Sequence, residues 1–152
     1  MNATLNHAEI AARIPHAGNM CLLDAMLSAC DTDIVCSAVS HRFPDNPLRS
    51  HDRLGAAVAV EYAAQAMALH GSVLDENLNS NVASKGGRLI NVRQLVLHCT
   101  RIDDAGSPLI VRATRLLGDA LNVVYSFEVS ADHHVLAAGR AGVMLVITGD
   151  AQ

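Results

Sequence analysis

The apolar positions of the chain fall into two rhythms. From Leu54 to His70 nearly every residue is Ala, Val, Leu or Met, and the run ends at Gly71, a good helix stop. A helix of that composition is apolar on most sides and is expected to be buried. Beyond it, period-two alternation takes over. Val92, Leu95 and Leu97 mark one strand, Leu109 to Leu117 a second, Asn122 to Val129 a third and Val135 to Ile147 a fourth. Turn chemistry separates them at Asp103-Asp104-Ala105-Gly106, Gly118-Asp119 and Ala131-Asp132-His133. Upstream, Met20 to Ser40 is strand-like and is split by the polar turn Asp31-Thr32-Asp33. His7 to Arg13 reads as a short helix capped by Asn6 and broken by Pro15 and Gly18. His41 to Arg53 and Ser72 to Lys85 read as polar loops.

The order is short helix, two strands, one long helix, four strands. It predicts an α+β domain over residues 1–152, an antiparallel sheet around one central helix. One helix covers only one face of a six-stranded sheet, so the remaining surface calls for a partner and an oligomer is expected.

Composition narrows the function. The 152 residues are 51% hydrophobic and 17% charged, which excludes a disordered chain. The net charge of −4 lacks the basic excess of a duplex binder. Aromatics are 3% with no Trp, so stacking platforms for single strands are scarce and no nucleic-acid partner is expected. The longest apolar run is interrupted by Glu61, so no membrane span is expected. Glu9 and Arg13 near the start do not fit a secretory leader, and a cytoplasmic location is expected. Cys21, Cys30, Cys36 and Cys99 have neither zinc nor redox spacing and read as reduced thiols. There is no glycine-rich phosphate loop, no G-x-S-x-G elbow and no metal-ligand spacing, so neither a cofactor nor a metal is expected.

The chemistry-bearing residue that stands out is Glu61, mid-way along the apolar helix in Val60-Glu61-Tyr62-Ala63-Ala64-Gln65. A carboxyl group buried there without partners tends to hold its proton, as a general acid must. Gln65 follows one turn later and could orient it. His41 and His51 lie in the loop that feeds the helix, and either could supply a neutral imidazole base. Free backbone N–H groups around Gly55 and Ala56 could polarise a carbonyl oxygen. A base, an acid and amide dipoles suit proton abstraction beside a carbonyl with loss of a β-hydroxyl. Arg42, Arg49 and Arg53 could meet a phosphate or an acidic carrier protein.

Three segments carry a resemblance to a known family. Ile14-Pro15-His16 with Leu22-Leu23-Asp24, the loop Ser40-His41-Arg42-Phe43-Pro44-Asp45-Asn46-Pro47, and the helix motif Val60-Glu61-Tyr62-Ala63-Ala64-Gln65-Ala66 are similar to the L-P-H…L-L-x-D, G-H-F-P-G-x-P and V-E-x-x-A-Q motifs of the hot-dog 3-hydroxyacyl-acyl-carrier-protein dehydratases. Within that family the pattern is most similar to the dehydratase-like subunits of aryl-polyene pigment clusters. The resemblance implies a hot-dog fold and a homodimer or heterodimer. It implies His41 as the base, Glu61 of the other protomer as the acid and Gln65 as its support. The substrate implied is a 3-hydroxyacyl thioester on acyl carrier protein or coenzyme A. Departures are visible as well. Arg42 is inserted after the histidine, Asp45-Asn46 replaces a glycine-containing pair, and Leu54-Gly55 replaces proline-glycine. The loop is also longer, which keeps His51 as an alternative base. Two other functions fit the same residues. One is a hot-dog thioesterase using Glu61 or Asn46 to position water, and the other is a non-catalytic subunit of a heterodimeric dehydratase.

Overall fold

A computed structural model of the chain describes residues 4–14, 18–77, 84–119 and 121–147. Helix α1 (His7–Ala11) is followed by strands β1 (Ala25–Ala29) and β2 (Asp33–Ala38), helix α2 (Ala59–Asn77), and strands β3 (Ser84–Leu97), β4 (Leu109–Gly118), β5 (Asn122–Ala131) and β6 (His134–Ile147). The six strands form one antiparallel sheet in the order β1-β2-β4-β5-β6-β3. This is the α+β arrangement expected from the hydrophobic pattern.

Alternation decides which face packs. Ile34 and Cys36 on β2, Val111 and Ala113 on β4, Tyr125 and Phe127 on β5, and Ala137 and Ala141 on β6 are all buried. Against them α2 lays Ala59, Tyr62, Ala63, Ala66, Met67, Leu69 and His70, the i, i+3, i+4 spacing of one helix face. The many alanines let the helix approach the sheet closely. Each fully enclosed Leu or Ile in this layer is worth about 1.5–3 kcal/mol of burial. Asn6 caps α1 in a reciprocal box: its side chain accepts from the Glu9 N–H while Glu9 accepts from the Asn6 N–H. The β5–β6 turn places Asp132 and His133 at φ 51° and 65°, the left-handed pair of a tight hairpin.

Three expectations need correction. The central helix does not span Leu54 to His70 and does not stop at Gly71; α2 begins at Ala59 and runs to Asn77. A single glycine costs a helix interior only about 1 kcal/mol, and Val73 beyond it packs against the core. At the other end, Leu54–Ala56 is drawn into pairing with Thr100–Ile102, which delays the helix start. Leu22 and Leu23 are buried but lie outside any strand, since β1 begins at Ala25. Residues 78–83 of the expected polar loop, and Pro15 and His16 of the first motif, lie outside the described residues. Among the described residues no helix is long and apolar enough to cross a membrane.

Candidate active site

After β2 the chain turns sharply through Ser40–Arg42 and carries His41 into the interior, where its ring is fully enclosed. The Nε2 atom lies 3.1 Å from the Ala105 carbonyl oxygen. A carbonyl only accepts, so Nε2 carries the proton and the neutral ring keeps a lone pair on Nδ1. That Nδ1 is buried and, among the described residues, has no hydrogen-bond partner. Burial pushes the His41 pKa down, more than the Ala105 carbonyl pulls it up. The alternative base, His51, sits elsewhere. It is exposed at the tip of a tight turn in which the Ser50 and Arg53 backbones bond to each other, with φ 54° at His51 and 63° at Asp52. Among the described residues its Nδ1 meets only the Ser50 hydroxyl, at 3.3 Å.

The His41 loop is braced from both sides. Asn46 donates to the Ser40 carbonyl at 2.9 Å and to the Tyr62 hydroxyl at 3.2 Å, and it accepts from the Leu48 N–H at 2.9 Å. Ser40 Oγ donates to the Leu22 carbonyl, so at 2.9 Å it accepts from Tyr62. A buried chain of bonds thus runs from the residue after Glu61 to the residue before His41. Asn46 spends its polar atoms inside this chain and is an organiser of the loop.

The helix entry holds the carbonyl-binding candidates. Gly55 and Arg101 face each other across a bridge made by Ala56 N–H to Thr100 O and Ile102 N–H to Leu54 O. The Ala56 N–H, expected to be free, is therefore occupied by Thr100. In this pairing Gly55 is the non-bonded partner, so its own N–H points away, and among the described residues it has no acceptor. Gly55 is exposed with open space where a Cβ would stand.

Glu61 differs from its expectation. It lies in the first turn of α2, not mid-way, because the helix starts late, and it is half-buried. Among the described residues it has no hydrogen bond or ion pair within its own chain. Gln65 does not reach it. The Gln65 side chain is fully buried, accepts from the Leu22 N–H at 2.8 Å and donates to the Met20 carbonyl at 2.7 Å. Its amide fixes the Met20–Leu22 segment.

The three arginines separate. Arg42 is exposed and donates to the Gly106 carbonyl at 3.3 Å, and Arg53 is exposed. Arg49 is 14% exposed and turned inward. It donates to the carbonyls of Phe43 (2.8 Å), Asp52 (2.9 Å) and His41 (3.2 Å), so its guanidinium is occupied in holding the loop and is not offered to a carrier. Sequence reasoning missed Ser40, Tyr62, Ala105 and Asp103. Asp103 carried only a turn signal, and Tyr62 appeared only as a member of the helix motif; the partners of these residues lie up to 64 residues away. A cavity of about 160 Å³ opens beside the loop, lined by Cys21, Leu22, Leu23, Val39, Phe43 and Asn46 among others. Glu61 does not line it.

Comparisons with known proteins agree with this architecture. Among solved structures, the dehydratase heterocomplex ApeI:P from Xenorhabdus doucetiae superposes with a TM-score of 0.79 at 23% identity, covering 89% of each chain. A thioesterase from Haemophilus influenzae matches at 11% identity and TM-score 0.64, covering 95% of this chain and 93% of that one. The zebra fish thioesterase superfamily member 2 matches at 11% and 0.62, covering 92% and 98%. At these identities the matches establish the hot-dog fold. No curated protein sequence matches the chain. The family model described as ApeP-like, ApeP dehydratase, matches residues 8–148. The chain belongs to the ApeP-like dehydratase family.

Proposed function

We propose that this dehydratase removes water from a 3-hydroxyacyl thioester, giving the trans-2-enoyl thioester, with His41 as the base. The observation that carries the reading is the His41 ring itself. Its Nε2–H is fixed on the Ala105 carbonyl, and its Nδ1 lone pair is buried with nothing to accept from. An orphaned buried lone pair is costly unless a ligand completes it. Burial also keeps the ring neutral. Nδ1 takes the α-proton, the C–H electron pair forms the Cα=Cβ bond, and the β-hydroxyl leaves as water with a proton from a carboxylic acid. The Gly55 N–H is free to hold the thioester carbonyl oxygen as charge builds there.

The acid is Glu61, acting across a subunit interface. Among the described residues it has no partner, and it is half-buried, so its carboxyl group is left for a group from outside the chain. The surface that supports pairing is β3, an edge strand of 14 residues. Leu89, Ile90, Leu95, Val96 and Leu97 along it are exposed. A long apolar edge of this kind is left unpaired only rarely. The similar Xenorhabdus structure is a heterocomplex, which favours a second dehydratase subunit as the partner. In this reading acyl carrier protein delivers the substrate in aryl-polyene synthesis, and the support in this chain is the pair of exposed cations Arg42 and Arg53, available to the carrier or its phosphate.

The test is incubation of the purified protein, alone and with a second dehydratase subunit, with a 3-hydroxyacyl carrier protein. Loss of water is expected. Release of free thiol would establish the thioesterase reading instead. His41→Ala and Glu61→Gln should each lower the rate by the roughly 10²–10⁴-fold typical of lost acid–base catalysis. If His51→Ala loses activity while His41→Ala keeps it, the base is assigned to the wrong histidine.

A further inference from the structure

One carboxylate ties the His41 loop to the helix entry at Gly55. The Asp103 side chain is 6% exposed. Its Oδ1 accepts from the Leu54 N–H at 3.0 Å, one residue before Gly55, and from Arg101 Nε at 3.0 Å. Its Oδ2 accepts from Arg101 Nη2 and lies 3.9 Å from Arg49 Nη1. Arg49 in turn grips the His41 and Phe43 carbonyls. Two residues after Asp103, the Ala105 carbonyl takes the His41 Nε2–H.

We infer that Asp103 is a positioning residue for the dehydration, setting the His41 ring and the Gly55 N–H relative to one another through Arg49, Leu54 and the turn to Ala105. The inference rests on the reading of His41 as base. The three connections are of different kinds. Arg101 holds the carboxylate by a forked contact of the strong, directional type. Leu54 fixes the approach of the helix entry. Arg49 sits at ion-pair distance and transmits the charge to the loop, whose carbonyls it bonds in a planar fork that a lysine could not reproduce. The Arg101 guanidinium holds the Asp103 carboxyl well below the usual carboxylate range. It therefore stays ionised through any working pH and is not itself an acid in the reaction. Its negative charge favours the protonated His41 ring, whereas Arg42 opposes it.

Asp103→Asn tests this in the assembled enzyme. The amide keeps the size and an oxygen for Leu54 but removes the charge that holds Arg49 and Arg101. Misplacement of reacting groups by about 1 Å can cost roughly 10²-fold, so kcat should fall by at least about tenfold with KM changed by less than about threefold. The acid limb of the kcat/KM profile should move to lower pH, because a charge that favours protonated His41 is gone. A residue that only stabilises the fold would change the melting temperature and leave the limb and the kcat of the folded fraction as they were, and that result overturns the inference. If Asp103→Asn does not fold, Arg49→Lys reads the same quantities; it keeps the charge and loses the fork, so kcat should fall while KM holds, and an unchanged kcat is equally fatal. His41→Ala run in parallel separates the failures. An active His41→Ala sinks the base assignment, whereas an inactive one beside an unaffected Asp103→Asn sinks only the role of Asp103.

Discussion

Replacing Gln65 by Leu separates a structural pin from a catalytic support. In the wild type both ends of the amide are used, on the Leu22 N–H at 2.8 Å and the Met20 carbonyl at 2.7 Å. Leucine is close in volume, so no cavity opens, but two backbone groups lose their partner in an enclosed place. An unsatisfied buried group costs about 1–3 kcal/mol, so the pair costs about 2–4 kcal/mol once the apolar gain of leucine offsets part of it. For a domain of this size, 1 kcal/mol corresponds to roughly 2–4 °C, so Tm should fall by about 4–16 °C. Calorimetry measures the fall, and amide exchange at Leu22 should lose protection. Because neither bond reaches Glu61, kcat of the folded fraction should stay within about threefold of wild type. An unchanged Tm, or a hundredfold loss of kcat at wild-type Tm, would refute the reasoning and return Gln65 to the chemistry.

Two further outcomes are expected. His41 and His70 are both buried, and desolvation lowers both below the ordinary 6.5. The unfolded chain therefore binds more protons just below that pH, so stability is fully present above pH 6.5 and falls as pH drops toward the lowered folded values; Tm between pH 8 and 5 should show this, with a shallower fall in His70→Gln, and a flat profile would contradict it. Ile90→Lys with Val96→Lys places two charges on the exposed β3 edge, where each side chain is about half exposed; light scattering should show the assembly breaking toward the 16.0 kDa subunit, and an unchanged mass would move the interface off β3.

The sheet was legible because alternation is a local signal. β4, β5 and β6 lie where Val111, Phe127 and Ala141 and their inward neighbours predict. The helix ends were less legible, because Gly71 carries a stop signal that the packing of Val73 overrides, and the pull of Thr100 on Ala56 is invisible 44 residues away. The site divides in the same way. His41 and Glu61 stand out in the sequence by chemistry and motif, and their roles are the ones proposed above, but the partners of Gln65, Asn46 and Arg49 are fixed by the tertiary fold. Each of these three has a side chain that bonds to backbone groups, and Asn46 also reaches the Tyr62 hydroxyl; nothing in the local sequence names the distant partners. Asp103 was hidden for that reason: next to Asp104, Ala105 and Gly106 it looks like one more turn residue.

The bracing of Tyr62 has an optical consequence. The chain has no tryptophan and two tyrosines, and both are buried. Tyr62 reports on the His41 loop through Ser40 and Asn46. Tyr125 reports on the helix–sheet contact through its 2.7 Å bond to His70, and burial pushes its hydroxyl up to about 12. The tyrosine band of the native protein, which lies to longer wavelength than the weak absorbance of its two phenylalanines, is thus the sum of two rings, one in the loop bracing and one in the core. A Tyr125→Phe protein would carry a single tyrosine. Its absorbance would follow the loop as substrate enters, without any label attached.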